Sequence, residues 1–315
     1  MAKRKRPFLK APQLDELAAQ RRATHKREER IAQRAERHAA GELKGQRVRS
    51  AAEKFLERTL VGIIYAGVVI AGLWFGPVST AGVIAVMSWL GASEFFRMMR
   101  KAGRMPNEVL GLAAAVAFPL STLVERHWFL LVWFLLVCSV SWWYVSNPRA
   151  TIADVAVTLL GPSYVGLMMT AIVWLRQASD GFVLALGVVA SVWANDSFAY
   201  LVGMTLGRHK MAPKISPNKS WEGAAGGFLG TMGVWVALSF LWKGGMSLVQ
   251  ALVIGAIVCF MAVMGDLVES RIKRGVGVKD SGDLLPGHGG MLDRVDSLIY
   301  ASMTAYVALR IWGLL

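Results

Sequence analysis

Nine apolar stretches, each close to the roughly 20 residues that cross a bilayer as a helix, dominate this chain after residue 58. They fall at about 59–76, 78–96, 108–125, 128–145, 151–175, 182–206, 222–242, 246–268 and 295–314. Such a pattern leaves few folds open. In hydrocarbon every backbone N–H and C=O must be satisfied internally, and runs of this length do so as helices. The predicted fold class is therefore all-α, a polytopic transmembrane helical bundle of about nine spans. Of these, 151–175 is the least regular, because it carries Asp154, Gly161-Pro162 and Gly166. Composition agrees: 55% of residues are hydrophobic and only 18% charged, against about 25% charged in a typical soluble domain.

The charge is unevenly spread. Residues 1–58 hold 17 Lys/Arg and 8 Asp/Glu, a net +9 of the chain's +14. That segment reads as a basic cytoplasmic tail, partly helical or disordered, in front of a membrane domain over 59–315. The first apolar run begins near Thr59, too late for a cleavable leader. Only Phe8 and Phe55 stand among the tail's basic residues, too few for a stacking platform, so nucleic acid is not an expected partner. With the tail in the cytoplasm, nine spans leave Arg126, Arg176, Lys243 and Arg310 on the far side. Fourteen other Lys/Arg of the membrane domain fall on the near side, as the positive-inside rule requires. The same parity puts both long polar loops, 207–221 and 269–294, on the cytoplasmic face. Cys138 and Cys259 lie within apolar runs and read as buried small residues, not as ligands or a disulfide.

The two loops concentrate the polar chemistry. WANDSFAYLVGMTLGRHKMAPKISPNKSWEG spans residues 193–223, and GDLVESRIKRGVGVKDSGDLLPGHGGMLDRVDS spans 265–297. Each opens on an aspartate at the end of an apolar run, Asp196 and Asp266, then turns basic and Gly/Pro-rich. Asp293 and Asp296 are three apart, on one face of a helix that starts there. With Asp266 they form a carboxylate set suited to Mg²⁺, which takes a few carboxylates plus substrate phosphates. Any one of these aspartates alone could equally be a helix cap. Pro286-Gly287-His288-Gly289-Gly290 lets backbone N–H groups converge on a phosphate, although ordinary turns look the same. Arg271, Lys273, Arg274, Lys279 and Arg294 supply countercharge. Lys219 is a candidate phosphate contact, with Ser216 and Ser220 as hydroxyl donors. The plainer alternative makes Ser220 a helix cap and Lys219 a positive-inside charge. Glu94 could simply face the interface, and Asp154 could serve as a charge at a helix N-terminus. No G-x-x-x-x-G-K-[ST], H-E-x-x-H or zinc spacing occurs.

These residues resemble the phosphatidate cytidylyltransferase family, the CDP-diacylglycerol synthases. The family signature matches here as Ser270-Arg271-Ile272-Lys273-Arg274, Lys279-Asp280, Pro286 to Gly290 and Asp293-Arg294-Val295-Asp296. The upstream loop is similar too, through Asn195-Asp196, Ala199-Tyr200, Gly203, Gly207, Ser216-Pro217 and Lys219-Ser220-Trp221-Glu222-Gly223. Asn218 stands where many members carry a lysine. Weaker similarity reaches Glu94 and Thr158 to Tyr164, and the tail lies outside it.

The resemblance implies an integral membrane enzyme of phospholipid biosynthesis, in a bacterial-type inner membrane. Its substrates would be CTP and phosphatidic acid, and its products CDP-diacylglycerol and pyrophosphate. It implies Mg²⁺ on Asp266 and Asp293 with Asp296 close by, a monovalent cation such as K⁺ beside it, and a homodimer. Asp266, Lys279, Asp293, Arg294 and Asp296 are then the expected catalytic residues. Asp196, Ser216, Lys219, Ser220, Arg274, Gly287, His288, Gly289 and Gly290 are expected to bind substrate. The attacking lipid phosphate is already anionic, so His288 need not be a base and is expected to hydrogen-bond a phosphate or hold the loop. Transfer to another lipid phosphate is a rival reading. A transporter with an anion site is another, but it predicts polar residues at mid-membrane and repeat symmetry, neither of which the sequence displays.

Overall fold

The structure, a computed structural model, describes residues 59–125, 127–282 and 289–315, together with Glu29 and Leu56. The expected basic tail thus lies almost wholly outside the described residues, as do Gly287 and His288. The chain divides into two compact units, Met1–Glu57 and Arg58–Leu315, and the second is built mostly of helix.

Its elements in order are α1 (Thr59–Trp74), α2 (Pro77–Lys101), α3 (Glu108–Ser121), α4 (Trp128–Ser146), α5 (Ile152–Pro162), α6 (Met168–Arg176) and α7 (Gly181–Leu206). A two-stranded hairpin follows, β1 (Lys210–Ala212) and β2 (Ser216–Ser220), then α8 (Trp221–Leu241), α9 (Leu248–Gly275) and α10 (Leu292–Ile311). Among the described residues six helices are long and apolar enough to cross a membrane, with α5 to α6 taken as one. The shortfall from nine has physical causes. The 14 residues of α3 rise only about 21 Å, less than the roughly 30 Å hydrocarbon core. The first run enters the count only through Thr59–Trp74, the part of it that is described as continuous helix. In α10, Asp293, Arg294, Asp296 and Arg310 break up the apolar stretch.

Three local departures from the expected plan bear on the site. The 207–221 loop contains strand, so the fold is not purely helical. Lys210 pairs with Ser220 and Ala212 with Ser216 in an antiparallel ribbon. Pro213 and Pro217 deny this segment a helix, and a ribbon with two free edges tolerates proline. Second, α9 runs on to Gly275, so Ser270, Lys273 and Arg274 are helical rather than in a loop. The helix is carried past the apolar run by i,i+4 pairs, Asp266 with Ser270 and Glu269 with Lys273. Third, Asp196 sits well inside α7 rather than at its end.

Irregularity in 151–175 is real. Thr151 and Asp154 form a reciprocal capping box at the start of α5, so Asp154 does serve the helix N-terminus. Pro162 has no N–H to donate, and the chain widens there into a π-helical turn over Ser163–Leu167 before α6. This turn brings Gly166 against α3, where an added Cβ would lie 2.6 Å from the Ala115 carbonyl oxygen and 2.7 Å from its Cα. Backbone cannot yield as a side chain can. Gly166→Ala is therefore expected to cost about 1–3 kcal/mol, the usual range for overpacking, measured as a lowered unfolding temperature in detergent.

Glycines also govern the pairing of α7 with α8. Gly226, Gly227 and Gly230 face Val202, Asn195 and Phe198, with added Cβ atoms only 2.5 to 2.8 Å from their atoms. A small-residue face of this kind lets membrane helices approach closely. Helix α10 packs against α9, α6, α7 and α2, and Leu292, Val295, Leu298 and Ile299 on it are buried with Phe95, Phe96 and Val165. The first turn of α10 is thereby held at the centre of the bundle.

Candidate active site

A cleft of about 380 Å³ opens between α7, the β2–α8 junction, α9 and the start of α10. Asn195, Asp196, Tyr200, Lys219, Ser220, Asp266, Asp293, Arg294 and Asp296 line it. Residues from both polar segments thus meet. Lys219 Nζ lies 2.6 Å from Asp266 Oδ2, the shortest link between them. Ser270 Oγ donates to the other Asp266 oxygen at 3.2 Å, and Asn195 Nδ2 donates to Asp196 Oδ1 at 3.3 Å. Asp196, Asp266 and Asp296 are near enough for their charges to act on one another unfavourably. Four carboxylates against Lys219, Arg294 and the Lys273 ammonium behind Asp293 leave the cleft wall rich in oxygen donors.

Local structure explains the lysine's placement. Ser220 caps α8 by accepting from Gly223 N at 3.1 Å, so the cap alternative describes its side chain. Glu222 accepts from the Arg208 and His209 N–H groups at 3.1 and 3.2 Å, closing the hairpin onto α8. Lys219 is then the last strand residue before the cap and turns inward to Asp266.

Other expected residues lie elsewhere. Ser216 starts β2 and does not line the cleft. Lys279 is exposed and also outside the lining. Arg274 donates to the Ile215 and Val278 carbonyls at 3.3 and 3.0 Å, so two of its N–H groups hold the hairpin and the loop after α9.

The glycine run also differs from a phosphate nest in its described part. Gly290 N donates to Asp293 Oδ2 at 2.8 Å, and the next two N–H groups, of Met291 and Leu292, donate to Glu94 at 2.9 Å each. Protein carboxylates take these donors. Gly289 adopts a positive φ of 78°, and a Cβ there would stand 2.7 Å from Asp293 Oδ2. The carboxylate of Asp293 is itself crowded: Lys273 Nζ lies 2.5 Å from Oδ1, while Ser281 N and Oγ each reach Oδ2 at 3.0 Å. Among the described residues no three His, Cys, Asp or Glu side chains are grouped closely enough to hold a metal ion by themselves.

A model of the cytidylyltransferase family matches residues 56–312. The chain belongs to that family. Among its relatives is "Phosphatidate cytidylyltransferase 5, chloroplastic" of Arabidopsis thaliana, 32% identical over 294 residues, covering 80% of this chain and 70% of the relative. The protein of Synechocystis sp. named phosphatidate cytidylyltransferase is 30% identical over 283 residues, 78% of this chain and 92% of its own. The one of Mycobacterium bovis with that name is 30% identical over 273 residues, 80% and 87%.

In this cytidylyltransferase-family chain, Glu269 and Ser281, which sequence reasoning passed over, and Lys273, which it read only as a countercharge for phosphate, form a buried layer behind the cleft. Glu269 is fully buried, Lys273 is 9% exposed, and Lys273 bridges Glu269 to Asp293. Ser281 is buried and touches both Glu94 and Asp293. A Glu269-x-x-x-Lys273 spacing running on from an apolar helix was the available signal for the first pair. Ser281 carried none.

Proposed function

We infer that this chain joins CTP to phosphatidate, giving CDP-diacylglycerol and pyrophosphate. Family membership and the names of the relatives support the reaction, and the membrane-length helices suit a lipid substrate. The observation that carries the site is the Lys219–Asp266 contact, because it joins the two polar segments in one cleft. In the reaction a phosphate oxygen of the lipid attacks the α-phosphorus of CTP, and the bond from that phosphorus to the bridging oxygen of pyrophosphate breaks. The nucleophile is anionic already, so no side chain has to remove a proton from it.

Asp266, Asp293 and Asp296 are the proposed hard-cation donors. The surplus of carboxylate oxygen in the cleft fits Mg²⁺, which completes its shell with water and substrate phosphates. Bound there, Mg²⁺ would polarise the phosphates of CTP. Asp296 accepts from Ser297 N on Oδ1 and has its other oxygen to offer, whereas Asp266 and Asp293 join as Lys219 and Lys273 give way. Lys219 and Arg294 stabilise charge on the α-phosphate and the departing pyrophosphate. Asp196 and Ser220 bound the nucleotide's space. Ser216, Arg274, Lys279, Gly287, His288, Gly289 and Gly290 belong to the proposal as contacts to substrate from around the cleft. K⁺ beside the Mg²⁺ and a homodimer rest on the resemblance alone. Nine spans are proposed from the apolar runs, a cytoplasmic tail and cytoplasmic active-site loops from the distribution of Lys and Arg, and an inner membrane from the resemblance.

The test is product formation from labelled CTP and phosphatidic acid, with purified protein in detergent, with and without Mg²⁺, beside Asp293→Asn. Metal-dependent product from the wild type, and little from the variant, is the expected outcome. A folded wild type that yields none would refute the phosphatidate assignment, and competition among other lipid phosphates would then find the acceptor. Product from both proteins would remove Asp293 from the site.

A further inference from the structure

Helix α10 presents Asp293, Arg294 and Asp296 to the cleft, yet its own sequence supplies no side-chain cap at Met291. The first N–H groups of a helix have no intrahelical acceptor and attract negative charge. Here the acceptor comes from α2. Glu94, only 2% exposed, takes Met291 N on Oε1 at 2.9 Å and Leu292 N on Oε2 at 2.9 Å. The same Oε2 lies 2.8 Å from Ser281 Oγ, and that hydroxyl also lies 3.0 Å from Asp293 Oδ2. A serine hydroxyl has one hydrogen to donate. One proton therefore stands between two carboxylates, one structural and one in the cleft wall.

The glycines fit this reading. A Cβ on Gly282 would come within 2.8 Å of Glu94 Oε1, and one on Gly290 would collide with Glu94 Oε2 and Ser281 Oγ. These two positions stay bare to admit the Glu94 carboxylate. We propose that Glu94 is a positioning residue for the transfer: by capping α10 and sharing the Ser281 hydroxyl with Asp293, it sets the orientation of Asp293 and of the turn bearing Arg294 and Asp296. The proposal rests on the cytidylyl-transfer reading of the cleft.

Glu94→Gln, Ser281→Ala and the double variant test it in full-length protein. The amide in Glu94→Gln would turn an NH₂ toward a backbone donor, whereas Ser281→Ala removes only the shared hydroxyl and keeps the test alive where Glu94→Gln does not fold. Outer-shell partners of metal-binding carboxylates are typically worth about 10- to 100-fold in affinity or activity. Each single variant is expected to lower turnover and raise the half-activating Mg²⁺ concentration by about 10-fold, with the KM for phosphatidate unchanged. The double variant should be no worse than Glu94→Gln alone, because both act along one chain of contacts. Two results would overturn the proposal: effects that multiply in the double variant, or a loss of thermal stability with Mg²⁺ dependence untouched. The rise in unfolding temperature on adding Mg²⁺ and CTP is read in parallel. If the wild type shows that rise but makes no product, the lipid assignment fails by itself. A weaker rise in the variants then still supports the role of Glu94, and an equal one overturns it.

Discussion

Asp266→Asn lowers CDP-diacylglycerol formation by roughly 10²-fold or more while the purified protein stays folded: that is the expected result with the largest effect on activity. The Asp266 side chain is 31% exposed and bonded on both oxygens, to Lys219 and to Ser270. Asparagine matches its shape and can still accept one hydrogen bond. It removes the negative charge that aims Lys219 and that would hold a cation. Charge stabilisation by a bound metal contributes several kcal/mol to a transition state, and about 1.4 kcal/mol corresponds to each tenfold in rate. The fold should tolerate the change, because a partly exposed, isosteric substitution usually costs only about 0.5 kcal/mol. Turnover measured beside the unfolding temperature separates the two effects. A variant within a few-fold of wild-type turnover would take Asp266 out of the site.

The largest effect on stability is expected from Lys273→Met. Its ammonium lies between Glu269 and Asp293 and is almost fully enclosed. Methionine has similar length and no charge, so the fully buried Glu269 would lose its counterion. Removing one partner of a buried pair typically costs about 3–5 kcal/mol, whereas replacing the pair by apolar residues of similar volume is often neutral. Lys273→Met with Glu269→Leu should therefore recover a large part of what Lys273→Met loses. Asp293 keeps its three other donors, from Ser281 and Gly290. Thermal unfolding in detergent should rank the wild type first, the double variant second and Lys273→Met last. A single variant that melts with the wild type would show that the triad carries no net stability.

How much of this was legible beforehand differs by kind of feature. Long apolar runs announced helices, and the helices formed close to where the runs lie. The count of membrane-length spans was less secure, since α3 stops at Ser121 and α10 carries its charges inside the helix. Asp266, Asp293, Asp296 and Lys219 were readable as a set because their types and spacing match one chemistry, and they do line one cleft. Arg274 was legible as a cation but not as the clasp on the hairpin. The hairpin itself was hidden, because three- and five-residue strands lack a sustained alternation.

The boundary between the two has a physical basis. Transfer of an apolar side chain out of water is favourable whatever it packs against, so the sequence by itself determined that this chain is a bundle of apolar helices bearing one acidic and basic motif. A hydrogen bond needs a partner at about 3 Å, and partners can be drawn from any part of the chain. Glu94 and Leu292 stand 198 positions apart, and no periodicity links them. Only the tertiary structure decided that the glycine run receives a carboxylate from α2, that Lys273 is sealed between two acids, and that the turn bearing Asp293 and Asp296 is held from behind.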